Sequence, residues 1–280
     1  MVAQVLTIAG SDSGGGAGIQ ADLKTFQMRG TFGMSVITAV TAQNTLGVCD
    51  IHTIPTHTIA TQIQAIAEDF RPTAFKIGML GTAEVIECVA NALQNCSFGL
   101  LVLDPVMIAK GGAPLLHNDA VSALKQLILP MADVITPNLP ETEVLTGIQV
   151  NNTNDAFQAA LQLQKMGVKN VVIKGGHREN SQSAVCHDWV FLADGTQLTL
   201  SSPRFDTRHT HGTGCTFSAC LAAELAKSEN MANALQTAKS FIYQAISNPI
   251  GIGSGHGAVN HWASGCVLPE TPFLPNQQTI

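Results

Sequence analysis

Short apolar runs rich in β-branched residues alternate along this chain with longer stretches whose apolar residues recur at helical spacing. The first pair is an apolar run over 2–9 and, after the segment GSDSGGGAG, a helical pattern over 19–28. Alternation of this kind builds a mostly parallel sheet with helices on both faces. No repeat of fixed period and no linker-like composition divides the 280 residues. We therefore expect one α/β domain over 1–280, with a flexible tail from about 263.

The remaining elements follow from the same periodicities. The turn signal Asp194-Gly195 separates two β-like runs, so we expect 185–200 to form an antiparallel edge of the sheet. The sequence predicts strands over 33–42, 48–54, 74–79, 100–103, 133–136 and 171–173, and helices over 56–70, 83–93, 118–129, 156–166 and 231–246. A short helix that carries Glu141 is expected to start at Pro140.

Composition excludes several classes of function. A net charge of −6 with 12% charged residues argues against a nucleic-acid surface, which requires clustered Lys and Arg. No apolar run reaches the roughly 18 residues that a membrane helix needs. Seven cysteines without a CxxC pair suit free thiols in a reducing compartment, so we expect a cytoplasmic protein.

The stretch RHTHGTGCTFSACLAAELA, over 208–226, begins polar and glycine-rich and then becomes an apolar-periodic helix. Gly212 and Gly214 allow a sharp turn, so backbone N–H groups can point into one hollow at the helix start, where the helix dipole favours an anion such as phosphate. The same field would lower the pKa of Cys215 in the first turn. The alternative is a glycine-rich turn, a Thr cap and a buried cysteine.

Other motifs are incomplete. The glycine-rich segment at 10–18 has Ile19 where GxGxxG requires glycine, and Gly-Lys never occurs, so a Rossmann dinucleotide site and a P-loop are both disfavoured. His209, His211 and Cys215 lack the fourth ligand of a structural zinc site. Ser122-x-x-Lys125 lacks the companion motifs of acyl-serine hydrolases. We expect surface or packing roles for the histidines at 256 and 261.

Polar residues follow the predicted strands at their carboxyl ends, which is where open α/β sheets bind ligands. They are Asp12, Gln43, Asp104, Asn138 and Lys174. Each also has an ordinary explanation as a turn former or a strand end. Their occurrence on one rim, beside a helix start suited to anions, favours a binding site.

Seven blocks, in order, resemble the hydroxymethylpyrimidine/phosphomethylpyrimidine kinases. They are GSDSGGGAGIQAD (10–22), TAVTAQN (38–44), KIGML (76–80), DPVM (104–107), TPNLPE (136–141), VIKGGH (172–177) and THGTGCTFSA (210–219). The resemblance implies a ribokinase-like three-layer α/β/α fold, ATP and Mg²⁺ as cofactors, and a homodimer. It also implies phosphorylation of 4-amino-5-hydroxymethyl-2-methylpyrimidine to its monophosphate and then its diphosphate, in thiamine biosynthesis.

The resemblance also assigns catalytic roles. Cys215 stands where most relatives in the wider superfamily have Asp, and it is the candidate base for the substrate hydroxymethyl group. Glu141 ends an Asn-x-x-Glu motif that helps to organise Mg²⁺, with Asp104 as a second carboxylate on the metal side. The other assigned residues hold phosphates: Gly212, Thr213 and Gly214 around the transferring phosphoryl group, and Lys174, Asn138 and Thr210 near ATP.

Substrate contacts are expected at other strand ends. The carboxamide of Gln43 offers a donor and an acceptor, which suits an aminopyrimidine edge. Aromatic residues make up only 5% of the chain, so aliphatic contacts with the ring are expected from Met79 and Val106. Three further residues complete the predicted substrate site: Gly10, Ala17 and Asp22. The first two leave room for the ring. Asp22 reaches either the hydroxymethyl group or a bound cation, and the alternative is that it is an ordinary exposed acid of the first helix. Lys239 is expected to be a solvated helix lysine rather than a phosphate ligand.

Two alternatives remain open on the sequence. A pyridoxine/pyridoxal kinase would act on a similar hydroxymethyl-bearing ring, and Gln43 is the residue that distinguishes the two substrates. A protein that binds the pyrimidine without turnover would need neither the Gly-Thr-Gly-Cys segment nor Lys174.

Overall fold

In a computed structural model of the chain, which describes residues 2–108, 116, 118–176 and 184–267, nine strands form one sheet in the order β3-β2-β1-β4-β5-β6-β7-β8-β9. The neighbouring strands from β2 to β7 in that order pair parallel. At the two edges, β3 pairs antiparallel with β2, β8 with β7, and β9 with β8. The strands are β1 Gln4–Asp12, β2 Phe32–Asn44, β3 Gly47–Thr53, β4 Ala74–Ile77, β5 Leu100–Leu103, β6 Val134–Ile135, β7 Asn170–Lys174, β8 Val185–Phe191 and β9 Gln197–Pro203.

Helices cover both faces of this sheet. They are α1 Gly18–Met28, α2 Thr56–Asp69, α3 Ala83–Leu93, α4 Asn118–Ala123, α5 Leu139–Thr146, α6 Thr153–Lys165, α7 Thr213–Ala226 and α8 Met231–Ser247. The chain after α4 winds on through a π turn, Leu124–Ile128, and a 3₁₀ turn, Leu129–Met131. Pro130 cannot donate a backbone hydrogen bond, which is one reason why the predicted helix over 118–129 is not a regular α-helix.

Alternate side chains of the strands enter two separate cores. Leu6 and Ile8 of β1 pack with residues of α2, α3 and α6 on one face, whereas Val5 packs with α1, α7 and α8 on the other. This period of two is what a strand covered on both faces requires. The predicted three-layer α/β/α architecture, with its mostly parallel central sheet, is confirmed.

The sheet has antiparallel strands at both edges. The hairpin of β8 and β9 was expected, but β3 pairs antiparallel with β2 through the short turn at Thr45 and Leu46. A two-residue connection cannot make the crossover that parallel pairing needs.

The chain that follows α8 is partly fixed to the body of the fold. Residues 261–264 form a turn, and the Val267 N–H donates to the carbonyl of Met28 at 2.9 Å. The rest of the predicted tail, 268–280, lies outside the described residues. Of the helices that the structure describes, none is long and apolar enough to cross a membrane.

Candidate active site

The start of α7 has the geometry that the sequence predicted. Gly212 caps the helix with a φ of 83°, in the left-handed region that favours glycine. A Cβ at Gly212 would collide with the carbonyl of Gly16, and the Thr213 hydroxyl donates to the carbonyl of Thr210 at 2.7 Å. The helix α7 packs on β1, β4 and β5, and a Cβ on Gly214 would lie 3.6 Å from Asp104, which directly follows β5. The free N–H groups of α7 therefore lie at the carboxyl end of this strand.

The glycine-rich loop after β1 is organised by Asp12. Its carboxylate accepts the backbone N–H groups of Gly14, Gly16 and Ala17 at 2.8, 3.0 and 2.9 Å. Burial opposes ionisation of Asp12, but the His211 side chain and the backbone donors outweigh it and hold the pKa below its usual value. Asp12 therefore holds the loop in shape, and both of its carboxylate oxygens are occupied by hydrogen bonds within the protein.

Asp104, Lys174 and Ser218 connect β5, β7 and α7. The Lys174 ammonium donates to one Asp104 oxygen at 2.9 Å, and the Ser218 hydroxyl donates to the other at 3.2 Å. Burial disfavours the Asp104 carboxylate, yet the charges of Lys174 and Lys76 outweigh it and lower its pKa. A Cβ placed on Gly214 would be 3.2 Å from the Lys174 Nζ, so this ammonium lies against the first turn of α7.

Asn138 and Glu141 form a capping box at the start of α5. The Asn138 side chain accepts the Glu141 N–H at 2.9 Å, and the Glu141 carboxylate accepts the Asn138 N–H at 2.8 Å. Burial raises the pKa of Glu141 to about 7, against the opposing charge of Lys174. The carboxyl thus titrates near neutrality, which is unusual for a residue that only caps a helix.

Cys215 lies in the first turn of α7 and is partly exposed. The prediction that the helix start lowers the pKa of its thiol is wrong. Burial raises this pKa to about 11, although the charge of Lys76 acts in the opposite direction, and the carboxylates of Asp22 and Asp104 raise it further. The favourable helix field is outweighed by the loss of water and by two nearby negative charges.

Asp22 is not an exposed acid, because its side chain is 0% exposed. Its two oxygens lie 2.8 and 2.9 Å from the Lys76 Nζ, and the Thr7 hydroxyl donates to one of them at 2.6 Å. Burial raises the pKa of Asp22, and the charge of Lys76 opposes that change. The alternative of an exposed helix acid is therefore wrong, since Asp22 is half of a buried ion pair, and its assignment to the substrate site stays a prediction.

The predicted substrate residues surround the same edge of the sheet. Gln43 is partly exposed at the end of β2, and its carboxamide contacts Thr41 and His211. Met79 is fixed by a 2.8 Å hydrogen bond from the Thr38 hydroxyl to its carbonyl, and a Cβ on Gly10 would lie 2.5 Å from its Cε. Ala17 caps α1, and the Val106 N–H donates to the carbonyl of Asp104 at 2.8 Å.

The segment over 253–261, which we call the C-terminal strap, connects the two loops of the site. The N–H groups of Gly255 and His256 donate to Thr45 at the end of β2. The backbone of His211 accepts from Val259 and donates to Gly257. His261 is buried, and its Nε2 lies 3.0 Å from the Thr216 hydroxyl in α7. The expected packing role of His261 is confirmed, and His256 is on the surface.

The expectation for Lys239 is wrong. Lys239 is 8% exposed, and its ammonium lies 2.7 Å from Asp188, whose other oxygen accepts the Gly175 N–H at 3.0 Å. The pair therefore holds the backbone that follows Lys174. Apolar neighbours at 235, 238 and 242 place Lys239 on the buried stripe of α8, and this was a signal that the sequence contained.

Sequence reasoning missed three residues at the site: Lys76, the ring of His211 as a partner of Gln43, and Ser218. In the described part of the chain no three His, Cys, Asp or Glu side chains cluster as a metal site would.

Strand ends that carry Gln43, Asp104 and Lys174 beside a glycine-capped helix start form the arrangement that an α/β phosphotransferase uses. The sequence model of phosphomethylpyrimidine kinase matches residues 12–260, and the chain belongs to this family.

Relatives support the same assignment. The hydroxymethylpyrimidine/phosphomethylpyrimidine kinase of Haemophilus influenzae is 69% identical over 94% of this chain and 97% of its own length. The Bacillus subtilis enzyme of that name is 51% identical over 93% and 95%. The structure of Staphylococcus aureus pyridoxal kinase in complex with AMP-PCP and pyridoxal is similar, with a TM-score of 0.86, 33% identity and 96% coverage of both chains. The predictions of the family, of a ribokinase-like fold and of a kinase of thiamine biosynthesis are confirmed.

Proposed function

We propose that this chain phosphorylates the hydroxymethyl group of 4-amino-5-hydroxymethyl-2-methylpyrimidine and then the resulting monophosphate, with ATP as the donor. The observation that carries the proposal is the continuity of the two halves of the site. Gln43, which suits the aminopyrimidine edge, contacts His211, and Gly212 directly after it begins the anion-binding helix. A ring held at Gln43 would therefore have its hydroxymethyl group within the region that binds a phosphoryl group.

The phosphates are assigned to backbone and lysine donors. The N–H groups over 212–215 would donate to the transferring phosphoryl oxygens, and losing one such donor costs other enzymes about 3–4 kcal/mol. The Lys174 ammonium already lies against this turn and would add a positive charge near ATP. Asn138 and Thr210 are proposed to border the same phosphates from the start of α5 and from the loop before α7.

Glu141 and Asp104 are the proposed residues for Mg²⁺. Magnesium in kinases is held by one or two carboxylates together with substrate phosphates, so two acids suffice and a dedicated cage is not required. The Glu141 carboxyl, with a pKa of about 7, is close to giving up its proton, which suits a ligand that ionises when a cation arrives. When bound, the ion would neutralise charge on the phosphates.

Cys215 is proposed to receive the proton of the substrate hydroxyl as the new O–P bond forms and the bond from the γ-phosphorus to ADP breaks. With a pKa of about 11, on the order of one thiol in ten thousand is ionised at pH 7. A loose phosphoryl-transfer transition state demands little of the base, because the hydroxyl proton leaves late. The nearby cation of Lys76 favours the thiolate.

A coupled ATP-consumption assay with Mg²⁺ tests the proposal, using hydroxymethylpyrimidine, its monophosphate and pyridoxal as acceptors. We expect turnover with both pyrimidines. Turnover with pyridoxal alone would make the chain a functional counterpart of the similar Staphylococcus aureus pyridoxal kinase and would refute the proposal. If none of the three acceptors raises the rate of ATP consumption, the chain would be a protein that binds the pyrimidine without turnover.

The Gln43→Ala variant tests recognition. We expect its KM for the pyrimidine to rise by roughly 10-fold or more, because a ring nitrogen and an amino group lose their partners, while the KM for ATP stays near the wild-type value. Gln64→Ala, which removes an exposed glutamine from α2, is the matched control. Equal rises in both KM values would refute the recognition role.

We further propose a cytoplasmic homodimer. Val40, Leu46 and Ile51 are 43%, 71% and 40% exposed around the β2–β3 hairpin, an apolar surface suited to a second copy. The seven cysteines are all described and all free, as in a reducing compartment. Light scattering of the purified chain should give twice its 29.4 kDa mass, and Leu46→Lys should give the monomer mass.

A further inference from the structure

His211 lies between the two loops of the site and is only 8% exposed. Its Nε2 is 2.8 Å from an oxygen of Asp12 and 3.3 Å from the Nε2 position of the Gln43 carboxamide. A Cβ on Gly16 would lie 3.2 Å from the same ring nitrogen, so the ring packs directly on the glycine-rich loop. One ring nitrogen therefore faces both a carboxylate and the residue proposed to read the substrate.

The partner of this nitrogen decides which atom carries the proton. An ionised carboxylate can only accept hydrogen bonds, and Asp12 already accepts three backbone N–H groups. The 2.8 Å contact with Asp12 therefore requires a hydrogen on His211 Nε2, in the neutral and the charged ring alike. A nitrogen that carries a hydrogen in the ring plane cannot accept one from the Gln43 amide, so the carboxamide oxygen must face His211.

The hydroxyl on the other side of Gln43 leads to the same conclusion independently. The Thr41 Oγ1 has a single proton, yet it lies 3.0 Å from the carbonyl of Ser11 and 3.1 Å from the Oε1 position of Gln43, which are two acceptors. If the carboxamide is turned by half a rotation, its NH₂ group donates to Thr41, and Thr41 donates to Ser11. One rotation thus satisfies both contacts, and amide oxygen and nitrogen are assigned from such networks in general.

We propose that His211 fixes the rotation of the Gln43 carboxamide, with oxygen toward His211 and NH₂ toward Thr41, and thereby sets which heteroaromatic edge the site accepts. This inference rests on the proposed recognition role of Gln43. His211 is a positioning residue, since it acts on the substrate through Gln43. A fixed rotation gives the site one order of donor and acceptor, and an amide free to rotate offers both orders.

Specificity follows from that order. An aminopyrimidine presents an amino donor beside a ring-nitrogen acceptor, which pairs with an amide oxygen beside an amide N–H. A site that is committed to one order leaves a polar group unpaired when an analogue lacks the amino group, and such sites reject analogues strongly. Without His211 the Gln43 carboxamide could rotate and hydrogen-bond elsewhere, so the loss of kcat/KM for the analogue would be smaller.

The experiment compares kcat/KM for hydroxymethylpyrimidine with that for its analogue without the 4-amino group, in wild type, His211→Phe, His211→Gln and Thr41→Val. We expect His211→Phe to reduce the wild-type preference for the amino substrate by roughly 10-fold, mainly through KM of the pyrimidine, with the KM for ATP nearly unchanged. His211→Gln, whose amide can still donate near the Nε2 position, should restore part of the preference. Thr41→Val removes the second anchor and should also lower the preference, which keeps the test valid if His211→Phe does not fold.

His261→Phe is the matched control, because it makes the same ring replacement at another buried histidine that touches α7 but not Gln43. Its preference should equal that of the wild type. An unchanged preference in both His211→Phe and Thr41→Val would overturn the inference, and so would an equal loss in His261→Phe. Wild type without pyrimidine turnover, or Gln43→Ala without an effect on the pyrimidine KM, would instead show that the proposed function has failed.

Discussion

Replacing Lys76 by Met should destabilise the protein strongly and in a pH-dependent way. Lys76 and Asp22 are both fully buried, and the ammonium contacts both carboxylate oxygens. Methionine fills nearly the same volume, so the loss of packing is small. The main effect is that Asp22 remains buried without a counter-charge, and a carboxyl in that position binds a proton instead.

The magnitude follows from the cost of that proton. The ordinary pKa of the Asp22 carboxyl is 3.8, and burial without Lys76 raises the folded-state pKa far above it. Protonation on folding then costs about 4.4 kcal/mol at pH 7 and about 1.6 kcal/mol at pH 5. A group with a raised folded-state pKa keeps its stability at low pH and loses it as pH rises. The variant should therefore lose up to about 2.7 kcal/mol more than wild type between pH 5 and pH 7, because the charge of Lys76 opposes the rise of the Asp22 pKa in wild type.

Guanidinium unfolding at pH 5 and pH 7 measures this difference directly. The double variant Lys76→Met/Asp22→Asn is the control, because the asparagine side chain cannot ionise and the loss of stability in this variant should not vary with pH. Removing Lys76 also takes away a charge that lowers the pKa of Asp104, but both variants share this change, so it cancels when the two variants are compared. A destabilisation of Lys76→Met that is the same at both pH values, or that the double variant shares in full, would refute the reasoning.

Three further predictions concern the site itself. Cys215→Ala should reduce kcat by about 100-fold or more while calorimetry finds pyrimidine binding largely intact, and wild-type turnover in that variant would exclude the base role. Because the pKa of Glu141 is about 7, the apparent affinity for Mg²⁺ should rise from pH 6 to pH 8, and Glu141→Gln should weaken binding and remove this dependence. Gly212→Ala, with a φ of 83° and a Cβ against Gly16, should cost more than about 1 kcal/mol in thermal unfolding and depress kcat, whereas Gly176→Ala, whose Cβ meets nothing within 4 Å, should change neither.

Periodicity and turn chemistry sufficed for the layers of the fold and for the rim of the site. Both kinds of signal act over a few residues, as in the capping box of Asn138 and Glu141 or the glycine-capped start of α7. The pairing of Lys76 with Asp22 joins residues 54 positions apart on β4 and α1, and no local pattern encodes it. The apolar stripe of α8 contained a signal that Lys239 is buried, but Lys239 and Asp188 are 51 positions apart, so no local pattern indicates its partner.

The error over Cys215 has a different cause. The helix start and its field were placed correctly, and the thiol lies in the first turn as expected. The sequence did not reveal that two carboxylates, Asp22 and Asp104, come within electrostatic reach of the thiol from α1 and β5. The sign of the pKa change depended on this three-dimensional balance and on the depth of burial.

The C-terminal strap makes the site depend on residues that follow, in the chain, every strand of the sheet and every helix of its two covering layers. Asp12 and His211 are 199 positions apart, and the backbone of His211 is held by Gly257 and Val259. A chain that ends before residue 253 contains all nine strands of the sheet but lacks the hydrogen bonds of the strap to Thr45 and His211. Such a truncated chain should therefore keep the layers of the fold and hold His211 against Asp12 less firmly.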